Sequence, residues 1–351
     1  MSSKVYLGTS AAAIRGTLLS STEIEKLADS QSLEELVNRL RGSSYSEALA
    51  RLQPPFTARK LELAFRERLA DGHYLLMKAG SKYELIQLYY FRNIAWDLKS
   101  ALKSKALGKS YDESVEYLDM HSEELVGRRE LIVKVLSARD LQEVASLLSG
   151  TEFGEDIVKA VAAFKNNGET RFFDIYVDHA VLSNIAKAYS SNSKRYSSSR
   201  ATDVGGIGDM VALDIDSYNI LSVLRAKLWG FSEADTSELI ITPTYRAQLT
   251  LLLRMTSSES VSEAAKLVEG LHGITQLASG NDEELIDTME ETFTLQTRKT
   301  ASQAFVWQGL GPASALATVK LLEFEVRNLA AIAIGVEAHL PPRDVTSKLL
   351  L

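Results

Sequence analysis

The residues best suited to proton transfer or metal ligation are five histidines: His73, His121, His179, His272 and His339. No two stand at the close spacing of a helical metal pair, and the chain has no cysteine to complete a ligand set. A thiol nucleophile and a disulfide framework are excluded for the same reason. The carboxylate pairs Glu34-Glu35, Glu123-Glu124 and Glu283-Glu284 lie on helix-like segments. Neighbours on a helix diverge by about a quarter turn, so these pairs read as solvated faces. Glu323 and Glu325 read the same way. A dyad assembled in space from distant carboxylates stays open. No glycine loop ends in Gly-Lys-Ser or Gly-Lys-Thr. Val204-Gly205-Gly206-Ile207-Gly208-Asp209 follows a serine run rather than a strand and reads as a linker. Gly309-Leu310-Gly311-Pro312 reads as a turn before a helix, whose N-terminus could hold an anion. The expectation is therefore no catalytic residue, no cofactor site and no metal site.

The elements that would have to position any chemistry are written more clearly than the chemistry. One pattern occurs three times: Ser32-Leu33-Glu34-Glu35 with Gly42, Asp140-Leu141-Gln142-Glu143 with Gly150, and Ser260-Val261-Ser262-Glu263 with Gly270. In each, a capping residue is followed three positions later by Glu and ten positions later by Gly. This describes a short helix with an N-terminal cap, a Glu reaching back to the cap, and a glycine placed for a left-handed end. Apolar residues between them recur at helical spacing: Leu33, Leu36, Val37 and Leu40; Leu141, Val144, Leu147 and Leu148; Val261, Ala264, Ala265 and Val268. Upstream, Ile24, Ile132 and Leu252 align, as do Leu27, Val135 and Met255. Downstream, Tyr45 and Phe153 align as aromatic anchors, with Gly273 at the third position.

A second motif follows each copy: Phe91-Arg92-Asn93-Ile94, Ser217-Tyr218-Asn219-Ile220 and Val326-Arg327-Asn328-Leu329. Asparagine is unfavourable inside a helix, so Asn93, Asn219 and Asn328 in one register call for a side-chain hydrogen bond to a neighbouring helix, with a ligand role as the alternative. The Gly-to-Asn spacing is longest in the middle copy, where Ser190–Arg200 and the glycines after it form an insertion read as a flexible loop. A repeat of this period means one supersecondary unit used three times. The expected segments are 1–127, 128–236 with the insertion near 190–208, and 237–351.

The 351 residues contain six prolines, none between Phe56 and Thr242, and none interrupts a strongly periodic stretch. Long proline-free spans with few glycines favour helices, and Glu238–Thr242 is the one tempting strand. The fold class is all-α. Net charge is −7 without acidic or basic blocks, which argues against nucleic acid as a partner. Met1–Tyr6 lacks the apolar core of a signal peptide, and no apolar run reaches membrane-spanning length. A cytosolic chain with at most peripheral membrane contact is expected.

Two segments resemble a known family. They are Asp214–Gly230, with Asp-x-x-Asn-Ile-x-x-x-Leu-Arg-Ala-Lys, and Leu322–Gly335, with Val326-Arg327-Asn328-Leu329, followed by Leu340-Pro341. Tyr6 to Tyr45 fits as well. All are similar to the C subunit of the archaeal-type (A-type, V/A-type) ATP synthase, the relative of the d subunit of V-ATPases. The resemblance covers the whole length; the Ser-rich insertion and the weak third-copy aromatic depart from it.

The resemblance implies three similar helical units around a pseudo-threefold axis, forming a funnel on the cytoplasmic face of the cell membrane. It implies a peripheral, non-catalytic rotor component that couples a central shaft, made of the D and F subunits, to the membrane proteolipid ring, for proton- or sodium-linked ATP synthesis or hydrolysis. Lys194, Arg195 and Arg200 could meet lipid head groups or ring loops, or simply be solvated. From the residues alone, a generic helical-repeat adaptor and an α-helical enzyme with a carboxylate site remain alternatives.

Overall fold

The computed structural model describes residues 3–192, 206–274, 280–307 and 309–351. Most of the Ser-rich insertion, including Lys194, Arg195 and Arg200, lies outside the described residues, which are helical and contain no strand. The chain forms two compact units, one of residues 1–138 with 310–351 and one of residues 139–309.

The first unit opens with α1 (Ser3–Arg15), α2 (Ser21–Ala28), α3 (Leu33–Leu40), α4 (Ser46–Ala50), α5 (Ala58–Ala79), α6 (Glu84–Ala106), α7 (Tyr111–Val115), α8 (His121–Leu125) and α9 (Arg129–Ser137). The second holds α10 (Leu141–Leu148), α11 (Gly154–Asn167), α12 (Arg171–Ser191), α13 (Ile207–Leu228), α14 (Glu233–Glu238), α15 (Leu249–Thr256), α16 (Val261–Lys266) and α17 (Asp282–Trp307). The chain then returns to the first unit as α18 (Pro312–Glu337) and α19 (Pro342–Thr346).

In the first unit α18 is the central helix. It is apolar on nearly every face and packs on α5, α1, α2 and α3. Backbones approach closely: a Cβ on Gly8 of α1 would lie 2.4 Å from Leu310, and one on Gly335 of α18 would lie 2.4 Å from Val345 of α19. In the second unit α13 plays the same part. Ile220, Val223 and Leu224 join Leu252 and Met255 of α15, Ala264 and Ala265 of α16, and Phe293 of α17 in one core. The glycines preceding α13 are not all linker: Gly206 caps the helix and Gly208 lies within its first turn, against the Tyr189 hydroxyl.

The three short capped helices form where the repeat places them, as α3, α10 and α16. Ser32, Asp140 and Ser260 accept from the backbone N–H of Glu35, Glu143 and Glu263 at 3.1, 2.9 and 3.1 Å. The glutamates differ from the capping-box expectation. Each reaches one residue past the cap, to the N–H of Gln31, Arg139 and Glu259 at 2.8, 2.7 and 3.1 Å. Those bonds hold the Glu35 and Glu143 carboxyls below the usual range. The left-handed ends hold only for Gly270, whose φ is 85°. Gly42 and Gly150 are not left-handed, because the chain continues in a right-handed turn closed by Ser43 N–H to Leu40 O and Thr151 N–H to Leu148 O. Leu147, expected on the buried stripe of α10, is exposed; Val144, Ala145 and Leu148 carry that face.

Removing one cap, as in Ser32→Ala or Ser260→Ala, is expected to lower stability by about 1 kcal/mol. Leu36→Ala, at a fully buried position of α3, is expected to cost about 3 kcal/mol. Urea unfolding of the three variants checks both magnitudes.

Candidate functional site

The long helices α6, α13 and α18 each end in the same device. A left-handed residue follows the last turn, namely Gly108 (φ 69°), Gly230 (φ 74°) and His339 (φ 53°). The next N–H bonds back five residues: Lys109 to Ser104 O, Phe231 to Ala226 O and Leu340 to Gly335 O, at 3.0, 2.9 and 2.9 Å. This is the six-to-one bond of a Schellman end. A short helix follows, and the chain then returns to the long helix.

The return is held by a polar side chain. Asn219 Nδ2 donates to Ile241 O at 3.1 Å, and Ile241 N–H donates to Asn219 Oδ1 at 2.8 Å. Asn328 makes the same pair with Leu350, at 3.0 and 2.8 Å. Both partners are 22 residues downstream (219 to 241, 328 to 350). The amide imitates a neighbouring strand, satisfying one donor and one acceptor of extended backbone. Ile241 thus sits in the segment that resembles a strand by composition, yet it pairs with a side chain.

Asn93 does not join this set, because its Nδ2 is buried with no hydrogen-bond partner. Counting eleven residues back from Gly108, as Asn219 stands to Gly230 and Asn328 to His339, gives Asp97. Asp97 accepts from the backbone N–H of Asp119, again 22 residues on, and of Met120. The copy is one helical turn displaced from the Asn register, and its side chain is a carboxyl. The signal is the spacing to the left-handed residue after the helix, a glycine in two copies and His339 in the third, not the residue type.

Three residues before Asn328, Glu325 is buried. It accepts from Tyr45 Oη at 2.7 Å and from Leu19 N–H. Three residues before Asn219, Asp216 accepts from His272 Nε2 at 2.7 Å and from Arg246 N–H at 3.0 Å. His272, not Gly273, supplies the third aromatic anchor. Three residues before Asp97 stands Ile94, and the anchor aligned with Tyr45 is Phe153. Burial pushes the Glu325 carboxyl up, with Tyr45 and the Leu19 N–H opposing it. Two lysines complete the pattern. Lys105 Nζ donates to Leu136 O and Ala138 O at 2.7 and 2.6 Å, and Lys227 Nζ donates to Thr256 O at 3.0 Å and to Ser258 O. Each closes the C-terminus of a helix further along the chain, α9 for Lys105 and α15 for Lys227, where a cation is favoured.

Glu325 is therefore no solvated-face residue, and neither is Glu123, which is 0% exposed. Glu34, Glu124, Glu283 and Glu284 are exposed. Four of the histidines are drawn into packing, and His339 is exposed. His73 is buried with Nε2 2.9 Å from Ile86 O, His121 pairs with Asp71 at 2.8 Å, and His179 pairs with Asp156 at 2.8 Å. Among the described residues no cluster of three or more His, Cys, Asp or Glu could hold a metal ion. A shallow groove between α15 and α16 is lined by Leu253, Arg254, Lys266 and Glu263, and that carboxylate is engaged in capping α16. The polar side chains at these joints are engaged with backbone groups and with one another. No helix among them is long and apolar enough to cross a membrane.

Residues 9–347 match the model of the ATP synthase (C/AC39) subunit family. The chain belongs to that family. Relatives are spread over the same length. The A-type ATP synthase C subunit of Pyrococcus horikoshii is 26% identical over 344 residues, covering 95% of this chain and 86% of that protein. The C subunit of Methanocaldococcus jannaschii is 23% identical over 350 residues, covering 95% and 82%. That of a Desulfurococcus species is 27% identical over 347 residues, covering 95% and 86%. Membership of the C/AC39 family therefore embraces both units and all three joints.

Asn219→Leu and Asn328→Leu are each expected to destabilise the chain by about 1–3 kcal/mol, because each leaves a backbone donor and acceptor unpaired. Asn93→Leu is expected to be near neutral. Equal losses at all three positions in urea unfolding would remove the distinction. Burial lowers the pKa of His73 from 6.5 to about 4. The unfolded chain takes the proton first, so this contribution is full above pH 6.5 and is lost as pH falls toward 4, amounting to about 3 kcal/mol. His73→Gln, which keeps an N–H donor, is expected to flatten that acid limb of the stability curve.

Proposed function

We propose that this chain is a non-catalytic rotor component of an A-type ATP synthase, coupling a central shaft of the D and F subunits to the membrane proteolipid ring. The observation that carries the reading is the family match over residues 9–347, with relatives named as the C subunit of A-type ATP synthases over 95% of the chain. The internal repetition supports three similar helical units around a pseudo-threefold axis, forming a funnel that receives the shaft. Segments 1–127, 128–236 and 237–351 supply the three units. The protein would sit peripherally on the cytoplasmic face of the membrane, through the ring.

The physics of a coupler agrees with the joints. Torque passes without loss only through a body that resists bending. Close-packed helices have low compressibility, and each return segment is tied to its long helix by a two-point side-chain clamp at Asn219 and Asn328. Such a part needs broad contact surfaces with a few buried anchors rather than reacting groups.

Co-purification with a co-expressed D–F heterodimer and, separately, with detergent-solubilised proteolipid ring tests the reading. Retention by both is the expected result. Retention by neither, with both partners shown to be folded, would overturn it in favour of a helical adaptor of other partners.

A further inference from the structure

The joint of α6 differs from the other two in the chemistry of its side chain. At α13 and α18 an amide supplies both an acceptor and a donor. Asp97 supplies acceptors only, to the N–H groups of Asp119 and Met120. Met120 holds a left-handed conformation (φ 56°), which lets two successive N–H groups converge on the one side chain. Glu123, in the first turn of α8, lies directly against Asp97. Asp97 is 3% exposed and Glu123 is 0% exposed. No side-chain donor among the described residues reaches Asp97 Oδ1 or either oxygen of Glu123.

Two carboxyl groups in contact and shut from water cannot both be ionised, since each charge raises the cost of the other and no solvent offsets either. With one proton the same pair becomes a donor–acceptor couple, as in other buried carboxyl dyads. We propose that Asp97 and Glu123 hold one shared proton at neutral pH, and that this proton latches α8 and the segment before it onto α6, doing there what the amide donors of Asn219 and Asn328 do elsewhere. The Glu123 O–H donates to the carboxylate of Asp97, and hydroxide removes the proton as water when the latch opens.

The surroundings fit a pair carrying one negative charge. Arg66 of α5 faces Asp97 and favours its ionised form, with Arg59 beside it. Asp119 faces both members of the pair and, when ionised, disfavours a second charge on it; burial, then Glu67 and Asp97, push Asp119 itself up to about 7, with His121 opposing them and Asp71 behind Glu67. Arg51 pairs with Glu67 at 3.0 Å, away from the dyad. Tyr90 donates its hydroxyl to Ser122 O at 2.8 Å and so is not available to Glu123. Burial, aided by the neighbouring acids, moves Glu123 up to about 9, and burial moves Asp97 up to about 6. Both lie above the values of the unfolded chain, so the stabilisation is present at low pH and is lost as pH rises toward 9. The latch therefore opens on the alkaline side, opposite to the acid-sensitive His73.

The test uses the full chain, with Asp97→Asn and Glu123→Gln as variants. Asp97→Asn restores an amide at the joint and removes the dyad. The wild-type melting temperature should fall between pH 6 and 9, and Asp97→Asn should abolish at least half of that fall. Infrared difference spectra at pH 7 should show a protonated carboxyl band in the wild type that is diminished in both variants. A wild type with no protonated carboxyl at pH 7 overturns the proposal, whether or not Glu123→Gln folds. So does an Asp97→Asn variant with an unchanged pH slope. Should neither variant fold, amide exchange at Asp119 and Met120 of the wild type decides. Loss of protection between pH 7 and 9, beyond the intrinsic base-catalysed rate, is expected, and constant protection overturns the latch.

Discussion

The structure depends on one recurring constraint: a chain that leaves a buried helix must come back to it with its own backbone polar groups satisfied. Extended segments between helices have no ladder to supply partners, and an unpaired buried peptide group costs as much as a lost hydrogen bond. The long helices solve this with a side chain in their own interior. Asn219 and Asn328 meet Ile241 and Leu350 with one donor and one acceptor each. The geometry of the return is then fixed at both ends, by the left-handed residue after the helix and by the amide inside it.

This explains why the helices tolerate polar residues along otherwise apolar faces. The carboxylates of Glu325 and Asp216 stand one turn before their asparagines and receive an N–H from the segment that leads into a short helix. A ring donor, Tyr45 or His272, supplies a second bond. In both polar joints the carboxylate and its ring donor satisfy one another, whereas losing either would strand a buried donor or charge. Lys105 and Lys227 extend the same economy to the ends of neighbouring helices.

Helix packing alone leaves hairpins free to hinge at their turns. A clamp 22 residues from its anchor removes that freedom, because the whole excursion of short helix and turn is held at both ends. The α6 joint reaches the same end with carboxyls rather than an amide, which makes one of three similar clamps sensitive to protons.

The sequence by itself determined the helical class, the three capped helices and the family, because each rests on local chemistry. Ser32, Asp140 and Ser260 cap whichever helix follows them, and the apolar spacing after them needs no distant partner. It also marked Asn219 and Asn328, since a helix-disfavouring residue in an apolar run implies a bond. It misplaced the third member at Asn93 because the amide was the visible sign, while the structural register runs through Asp97. Glu123 and Glu325 look like surface residues in sequence, as carboxylates beside or near another carboxylate usually are. Only the tertiary structure decided their burial, because burial depends on which distant groups meet: Tyr45 and Leu19 for Glu325, Asp97 for Glu123. Gly42 and Gly150 show the same limit, since a glycine permits a left-handed turn but the path of the following chain selects the conformation.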